Sequence, residues 1–168
     1  FIANEFFDAI PIKQFFKKNN IWFERFVNLN NQKKAEFNEE KIDVVVGIES
    51  RGFIFGTPIA DKLNASFVPV RKPGKLPHET EHISYQLEYG KDSLEIHKDS
   101  INEGQNVLLV DDLLATGGTA EAAAKLIKIS GGSVAGFIFV INLFDLPGNK
   151  LLKDKGFETH CLIEFPGH

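Results

Sequence analysis

The sequence is short of cysteine, of positive charge and of long apolar runs, and each shortage excludes a class of protein. Its 168 residues include no methionine and one cysteine, Cys161, so neither an internal disulfide nor a cluster of thiolate metal ligands can form. The 19 Lys and Arg residues against 23 Asp and Glu residues give a net charge of −4, which provides no general attraction to nucleic acid. No segment approaches the ~20 consecutive apolar residues of a membrane-spanning helix. The first residues also lack the pattern of a secretory leader, so we expect a cytoplasmic protein without nucleic-acid or membrane partners.

The composition that is present is that of a globular protein. Hydrophobic residues make up 43% and charged residues 25% of the chain, which are ordinary values, and its length fits one domain. From Ile42 onward, continuous apolar runs typical of strands buried on both faces alternate with helical spacing. This alternation predicts an α/β fold with an open, mainly parallel sheet flanked by helices. The predicted elements are strand 44–48, helix 53–63, strand 67–70, strand 107–110, helix 119–129 and strand 134–141.

Two segments lie outside this alternation. Residues 1–18 carry apolar side chains at helical spacing, interrupted by Pro11, and predict an amphipathic helix. Residues 72–106 show no periodicity, and the part from 78 to 96 is too polar and irregular for a core segment. Because long aperiodic segments in compact domains are usually lids or disordered, we expect this part to be a loop beside a functional site.

Residues 107–119 carry the strongest functional signal. A buried strand leads to two adjacent carboxylates, Asp111 and Asp112, and then to Ala-Thr-Gly-Gly-Thr at the start of a helix. In open α/β sheets, ligands bind beyond the carboxyl ends of the strands, where a helix N-terminus presents unpaired N–H groups to anions. Glycines let consecutive amides converge on one phosphate, and the carboxylates can accept from sugar hydroxyls. The segment therefore predicts a ribose 5-phosphate site.

Other interpretations of this segment are weaker. The glycines would serve only a turn if Thr116 or Thr119 capped the helix with its side chain. The nucleotide-binding patterns Gly-x-x-x-x-Gly-Lys-Ser/Thr and Gly-x-Gly-x-x-Gly are both absent. We therefore favour the sugar phosphate.

Two further loops follow predicted strands and carry cationic side chains. The loop after the first buried strand contains Arg51, whose guanidinium offers five donors to an oxyanion. Residues 71–77 follow the next strand and place Arg71, Lys72 and Lys75 in a Pro/Gly segment. A surface ion pair and a solvated basic turn are the ordinary alternatives for these loops.

Together these motifs resemble a known family. Val-Leu-Leu-Val-Asp-Asp-Leu-Leu-Ala-Thr-Gly-Gly-Thr at 107–119 resembles the 5-phosphoribosyl 1-pyrophosphate (PRPP) motif of type I phosphoribosyltransferases. The strings at 47–53 and 71–77, and Leu-Glu-Tyr-Gly at 87–90, resemble those of the adenine-specific members. The resemblance implies a single domain over 1–168 with the type I fold. It also implies a base-binding hood, formed by about residues 1–35 and the C-terminal segment, and a mobile catalytic loop over about residues 76–92.

The resemblance also assigns roles to individual residues. The 5′-phosphate and ribose of PRPP would be held by Asp111, Asp112, Ala115, Thr116, Gly117, Gly118 and Thr119. The pyrophosphate would be held by Glu49, Ser50, Arg51, Arg71, Lys72 and Lys75. The adenine would contact Trp22, Phe23, Glu24 and Leu143. Catalysis would depend on Arg51, on Glu88 for the proton of the purine ring and on Tyr89 to cover the reacting centre.

The implied reaction joins adenine and PRPP into AMP and pyrophosphate, which is purine salvage. Mg²⁺ would be the cofactor, held mainly through PRPP and water with no direct protein ligand. A homodimer is implied, with Arg71 near the neighbouring site. Asn20 and Arg25 replace the glycine and aspartate of relatives beside the base, so another purine such as xanthine is an alternative substrate. A PRPP-sensing regulatory protein on the same fold is the alternative outside enzymes.

Overall fold

The computed structural model describes residues 14–18, 21–25, 41–87 and 90–167, and the chain divides into two compact units, Phe1–Glu36 and Phe37–His168. In the first unit, β1 (Gln14–Lys18) and β2 (Ile21–Arg25) form an antiparallel pair. The helix predicted over residues 1–18 is therefore wrong at 14–18, and its first part lies outside the described residues. Aromatic residues favour strands once a partner strand supplies the backbone hydrogen bonds, and helical spacing does not reveal that partner.

In chain order, the elements of the second unit are β3 (Val44–Ile48), α1 (Gly52–Leu63), β4 (Ser66–Val70), β5 (Thr80–Leu87), β6 (Gly90–His97), β7 (Asn106–Leu114), α2 (Gly118–Ile129), β8 (Ser133–Leu143), α3 (Gly148–Asp154) and β9 (Thr159–Phe165). Five of these strands form a parallel sheet with strand order β4-β3-β7-β8-β9. Its two most buried strands, β3 and β7, are the ones that the continuous apolar runs predicted, so the predicted α/β class is confirmed.

The core lies on both faces of this sheet. On one face, Phe137 and Phe139 of β8 stack 5.9 Å apart and pack with the buried alanines of α2 and with Leu126 and Ile127. Cys161 on β9 packs against the same cluster, and burial raises the pKa of its thiol to about 11. The thiol therefore stays protonated and acts as a small apolar group. None of the described helices combines the length and the apolar character needed to cross a membrane.

The segment expected to be an irregular polar loop is instead regular over most of its length. Strands β5 and β6 pair antiparallel from Thr80 opposite His97 to Leu87 opposite Gly90. Leu94 and Ile96 on β6 are fully buried, so the expectation that this segment has no core residues is wrong. In a hairpin strand, polar side chains on the outer face alternate with apolar side chains on the inner face. The segment as a whole therefore looks polar in the sequence, although its inner face is buried. Helix α3 and strand β9 were also missed, because both are short and carry weak patterns.

Candidate active site

The turn from β7 into α2 leaves a helix N-terminus open to an anion. Gly117 is the N-cap, with φ of 84°, and a glycine has no side chain that could accept from the first amides of the helix. The first amide groups of a helix have no intrahelical acceptor, and they lie at the positive end of the helix dipole. The interpretation in which Thr116 or Thr119 caps this helix does not hold, because the cap residue is a glycine. This N-terminus can therefore donate hydrogen bonds to a phosphate.

A small cleft, open to solvent, lies over this turn. Of the residues predicted to hold the 5′-phosphate and ribose, all except Asp112 line it, together with Phe139. The cleft therefore lies where the open amides at the start of α2 can reach an anion.

The turn is supported from behind by the start of α3, which sequence reasoning missed. The Gly148 amide donates to the Ala115 carbonyl over 3.0 Å. A Cβ atom at Gly148 would lie 2.3 Å from that carbonyl oxygen and 2.9 Å from the Gly117 nitrogen. The two backbones thus touch, and only glycine fits at position 148. The Pro-Gly pair just after β8 was the available signal, since such pairs mark tight turns.

The adjacent carboxylates Asp111 and Asp112 have different environments. Burial raises the pKa of Asp111 to about 8, and the charge of Asp112 acts in the same direction. Asp112 instead accepts a hydrogen bond from Arg51 Nε at 2.5 Å. Asp111 can therefore remain protonated near neutral pH and offer a donor as well as an acceptor. Gly52 allows this burial, because a Cβ there would lie 2.6 Å from the Val110 carbonyl oxygen and 3.3 Å from Asp111 Oδ1.

Glu49 forms hydrogen bonds and ion pairs with residues of the basic segment that follows β4. Its carboxylate accepts from Lys75 Nζ at 2.5 Å, from the Lys72 backbone amide at 2.8 Å and from the Arg71 guanidinium at 3.3 Å. Burial of Glu49 would raise its pKa, but these hydrogen bonds hold the pKa below its ordinary value. The peptide bond from Glu49 to Ser50 is cis. The Glu49 carboxylate thus arranges Arg71 and Lys75, and the contact of Glu49 with pyrophosphate stays a prediction.

The Lys72 side chain points away from Glu49 and towards the hairpin β5–β6. Its ammonium donates to the Asp92 carboxylate, and to the Tyr85 hydroxyl at 3.3 Å. The Tyr85 hydroxyl also lies 3.3 Å from Thr119 Oγ1, on the turn 115–119 that leads into α2. Sequence reasoning missed Tyr85 and Asp92, although the period-two alternation of β5 places Tyr85 on the same face as the core residue Ile83.

The residues predicted to contact adenine or to act in catalysis lie in other parts of the chain. Leu143 ends β8 at the carboxyl edge of the sheet, whereas Trp22, Phe23 and Glu24 belong to β2 of the first unit. Glu88 and Tyr89 lie outside the described residues. Over the described ranges, no group of three or more His, Cys, Asp or Glu side chains is arranged to hold a metal ion.

Comparison with known proteins places these features in context. The profile of the phosphoribosyl transferase domain matches residues 25–164. An adenine phosphoribosyltransferase of Escherichia coli O157:H7 (strain EC4115 / EHEC) is 59% identical over 127 residues, which are 76% of this chain and 69% of that protein. The crystal structure of the Thermoanaerobacter pseudethanolicus adenine phosphoribosyltransferase is 53% identical, with a TM-score of 0.72 over 77% of this chain and 74% of that chain.

A third relative was crystallised with ligands. The adenine phosphoribosyltransferase of Saccharomyces cerevisiae, complexed with D-2,5-dideoxy-2,5-imino-altritol 1,6-bisphosphate and adenine, is 37% identical. Its TM-score is 0.72, and the match covers 95% of this chain and 97% of that chain. The range matched by the domain profile contains every residue predicted to hold PRPP.

Proposed function

This chain belongs to the adenine phosphoribosyltransferase family, and we propose that the carboxyl edge of its parallel sheet is where PRPP binds. The chain is a pentosyl-transferring enzyme of purine salvage that converts adenine and PRPP into AMP and pyrophosphate. The observation that carries the placement is the helix start at Gly117, which has no side-chain cap and lies next to Asp111 and Asp112.

In this proposal the 5′-phosphate lies on the turn 115–119. The open amides at the start of α2, the Thr116 and Thr119 hydroxyls and the cleft above them support that placement. Asp111 and Asp112 then hold the 2′- and 3′-hydroxyls of the ribose. The yeast relative, crystallised with adenine and a bisphosphate of an imino sugar, supports a site that takes two phosphate groups and a base.

The pyrophosphate lies at the cations around β3 and β4. Each predicted cation already has a carboxylate partner in this chain: Arg51 pairs with Asp112, Lys72 with Asp92, and Lys75 and Arg71 with Glu49. Binding of a multiply charged anion therefore requires cations to exchange or share their partners. These pairs fix the positions of the side chains before substrate arrives, which reduces the entropy cost of binding.

The same charge balance supports Mg²⁺ as the cofactor. The acids beside the cations leave the site with little excess positive charge, and Asp111 and Asp112 are the acids that we place at the ribose. The ion would be held mainly through PRPP oxygens and water, as Mg²⁺ commonly is. When bound, Mg²⁺ offsets the negative charge that develops on the leaving pyrophosphate.

The transfer itself needs little covalent chemistry from the protein. A ring nitrogen of adenine bonds to C1 of the ribose while the bond from C1 to the pyrophosphate oxygen breaks, with inversion at C1. We assign Arg51 to stabilise the leaving group, Glu88 to accept the proton that the purine ring loses and Tyr89 to cover the reacting centre. The resemblance assigns Trp22, Phe23, Glu24 and Leu143 to contacts with adenine, and these contacts are part of the proposal.

The assembly and the compartment are also proposals. We propose a homodimer in which Arg71 lies near the neighbouring site, on the basis of the resemblance of segment 71–77. The single domain with a base-binding hood over about residues 1–35 rests on the same resemblance. A cytoplasmic location is consistent with a sequence whose one cysteine, Cys161, cannot form an internal disulfide.

One assay tests this function directly. The protein is incubated with PRPP and Mg²⁺, and adenine, hypoxanthine, guanine and xanthine are offered separately while nucleotide and pyrophosphate are measured. We expect AMP from adenine alone, and its loss when Mg²⁺ is chelated. Product from xanthine instead would support the alternative suggested by Asn20 and Arg25. Product from none of the bases, with PRPP still bound, would favour a PRPP sensor.

A further inference from the structure

The Tyr85 hydroxyl lies where both anion-binding parts of the proposed site meet the hairpin. It is 3.3 Å from Thr119 Oγ1 on the turn 115–119, which we call the phosphate turn. It is also 3.3 Å from Lys72 Nζ and 3.2 Å from Asp92 Oδ2. The tyrosine ring packs against the main core cluster. Packing fixes the ring, so the hydroxyl is held in place by more than its hydrogen bonds.

The hydrogen-bonding capacity of these groups limits how the protons can be arranged. The Lys72 ammonium can only donate, so the Tyr85 oxygen accepts from it. The single proton of the Tyr85 hydroxyl must then go either to Asp92 or to Thr119. Asp92 has other donors, namely Lys72 and the Ser93 backbone amide. Asp92 therefore does not depend on the Tyr85 proton for its own hydrogen bonding.

A phosphate on the turn determines which arrangement is chosen. A fully ionised phosphate can only accept, so a Thr119 hydroxyl that contacts it must donate. The Thr119 oxygen is then left with lone pairs, which can accept the Tyr85 proton. The donors run in one direction, from Lys72 to Tyr85 to Thr119 to the phosphate, and such chains strengthen each member.

We infer that Tyr85 is a positioning residue for the transfer reaction, which orients the Thr119 hydroxyl towards the 5′-phosphate and connects it to Lys72 in the pyrophosphate site. The inference rests on the proposed position of the 5′-phosphate. It explains why a tyrosine on the inner face of the hairpin places its hydroxyl at the start of α2. In the absence of phosphate the Tyr85 proton can return to Asp92, so the hydroxyl keeps a partner in both states.

A double-mutant cycle on ribose 5-phosphate binding tests this role. The Kd is measured by isothermal titration calorimetry for the wild type, Tyr85→Phe, Thr119→Val and the double variant. Loss of the Tyr85 hydroxyl should raise the Kd about three- to tenfold when Thr119 is present, as expected for one hydrogen bond. It should have almost no effect when position 119 is valine. With Thr119→Ser, which keeps the hydroxyl, the dependence on Tyr85 should return.

Kinetics separate positioning from a general structural role. Tyr85→Phe should raise the KM for PRPP by the same factor as the Kd while kcat stays within about twofold of the wild type, because the reacting atoms are untouched. Ser84→Ala is the matched control, since Ser84 is the preceding residue, points to the opposite face of the hairpin and contacts Ser93. It should leave both constants unchanged.

The outcomes are distinguishable. If Tyr85→Phe binds ribose 5-phosphate as tightly as the wild type, or weakens binding equally with threonine and valine at position 119, the inference is wrong while the proposed function stands. If the wild type neither binds ribose 5-phosphate nor forms AMP, the proposed phosphate site fails and the inference fails with it.

Discussion

Gly148→Ala should damage the phosphate turn from behind, without altering any group that touches substrate. The new Cβ would lie 2.3 Å from the Ala115 carbonyl oxygen and 2.9 Å from the Gly117 nitrogen, whereas ordinary contacts begin at 3.4 Å. Both crowded atoms belong to the backbone, so no side chain can rotate away. The turn must shift by about 1 Å to relieve the shorter contact.

The size of the effect follows from this displacement. Overpacking of this kind typically costs about 1–3 kcal/mol, which for a protein of this length lowers Tm by roughly 2–12 °C. Ligand binding should be affected more strongly than stability, because misplacing the groups that position a substrate by about 1 Å can reduce activity roughly a hundredfold. We expect the Kd for ribose 5-phosphate and the KM for PRPP to rise at least about tenfold.

Calorimetric titration with ribose 5-phosphate and a thermal melt of the same sample measure the two effects together. Lys150→Ala is the matched control, because Lys150 is exposed and lies two residues further along α3. It should leave both values unchanged. Wild-type affinity in Gly148→Ala would refute the idea that contact with α3 holds the phosphate turn in position.

Three further predictions use the same protein and assays. Arg51→Ala should reduce turnover by about a hundredfold or more but change Tm little, since an exposed ion pair contributes only ~0–1 kcal/mol; early melting with full activity would contradict it. Glu88→Gln should slow single-turnover formation of AMP while PRPP binding is unchanged, and an unaltered single-turnover rate would remove Glu88 from the mechanism. Asp111→Asn should raise the Tm of the ligand-free protein by an amount that grows with pH. The pKa of Asp111, raised to about 8 by burial, lets the folded chain keep a proton that the unfolded chain releases near about pH 4, so wild-type stability is lost as pH rises between these values. A Tm difference that is the same at about pH 5 and about pH 8 would show that Asp111 titrates normally.

Local patterns were enough to predict four of the five strands of the parallel sheet, all except β9. Val44–Ile48 and the first residues of Asn106–Leu114 are uninterrupted apolar runs, and strands buried on both faces need no partner information to be recognised. The helices that follow them have helical periodicity of their own. The hairpin β5–β6 was not predicted, because each of its strands is apolar on one face only and the buried face became evident only against α2.

For the candidate site, as for the fold, some features could be predicted from the sequence and others depended on the tertiary structure. Residue types and spacing along the chain were sufficient to predict a phosphate site at residues 115–119 beside Asp111 and Asp112, because the whole motif is continuous in sequence. The partners of those residues come from distant segments: Arg51 reaches Asp112, Tyr85 reaches Thr119, and Gly148 supports Ala115. Their pairing depends on how the strands are ordered in the sheet, and no local pattern contains that order. The sequence by itself thus determined which groups are candidates for binding an anion, because residue type alone sets their charge and donors. Only the folded chain decided which charges neutralise one another, which carboxyl keeps its proton and which backbone holds the turn, because these depend on contacts between distant segments.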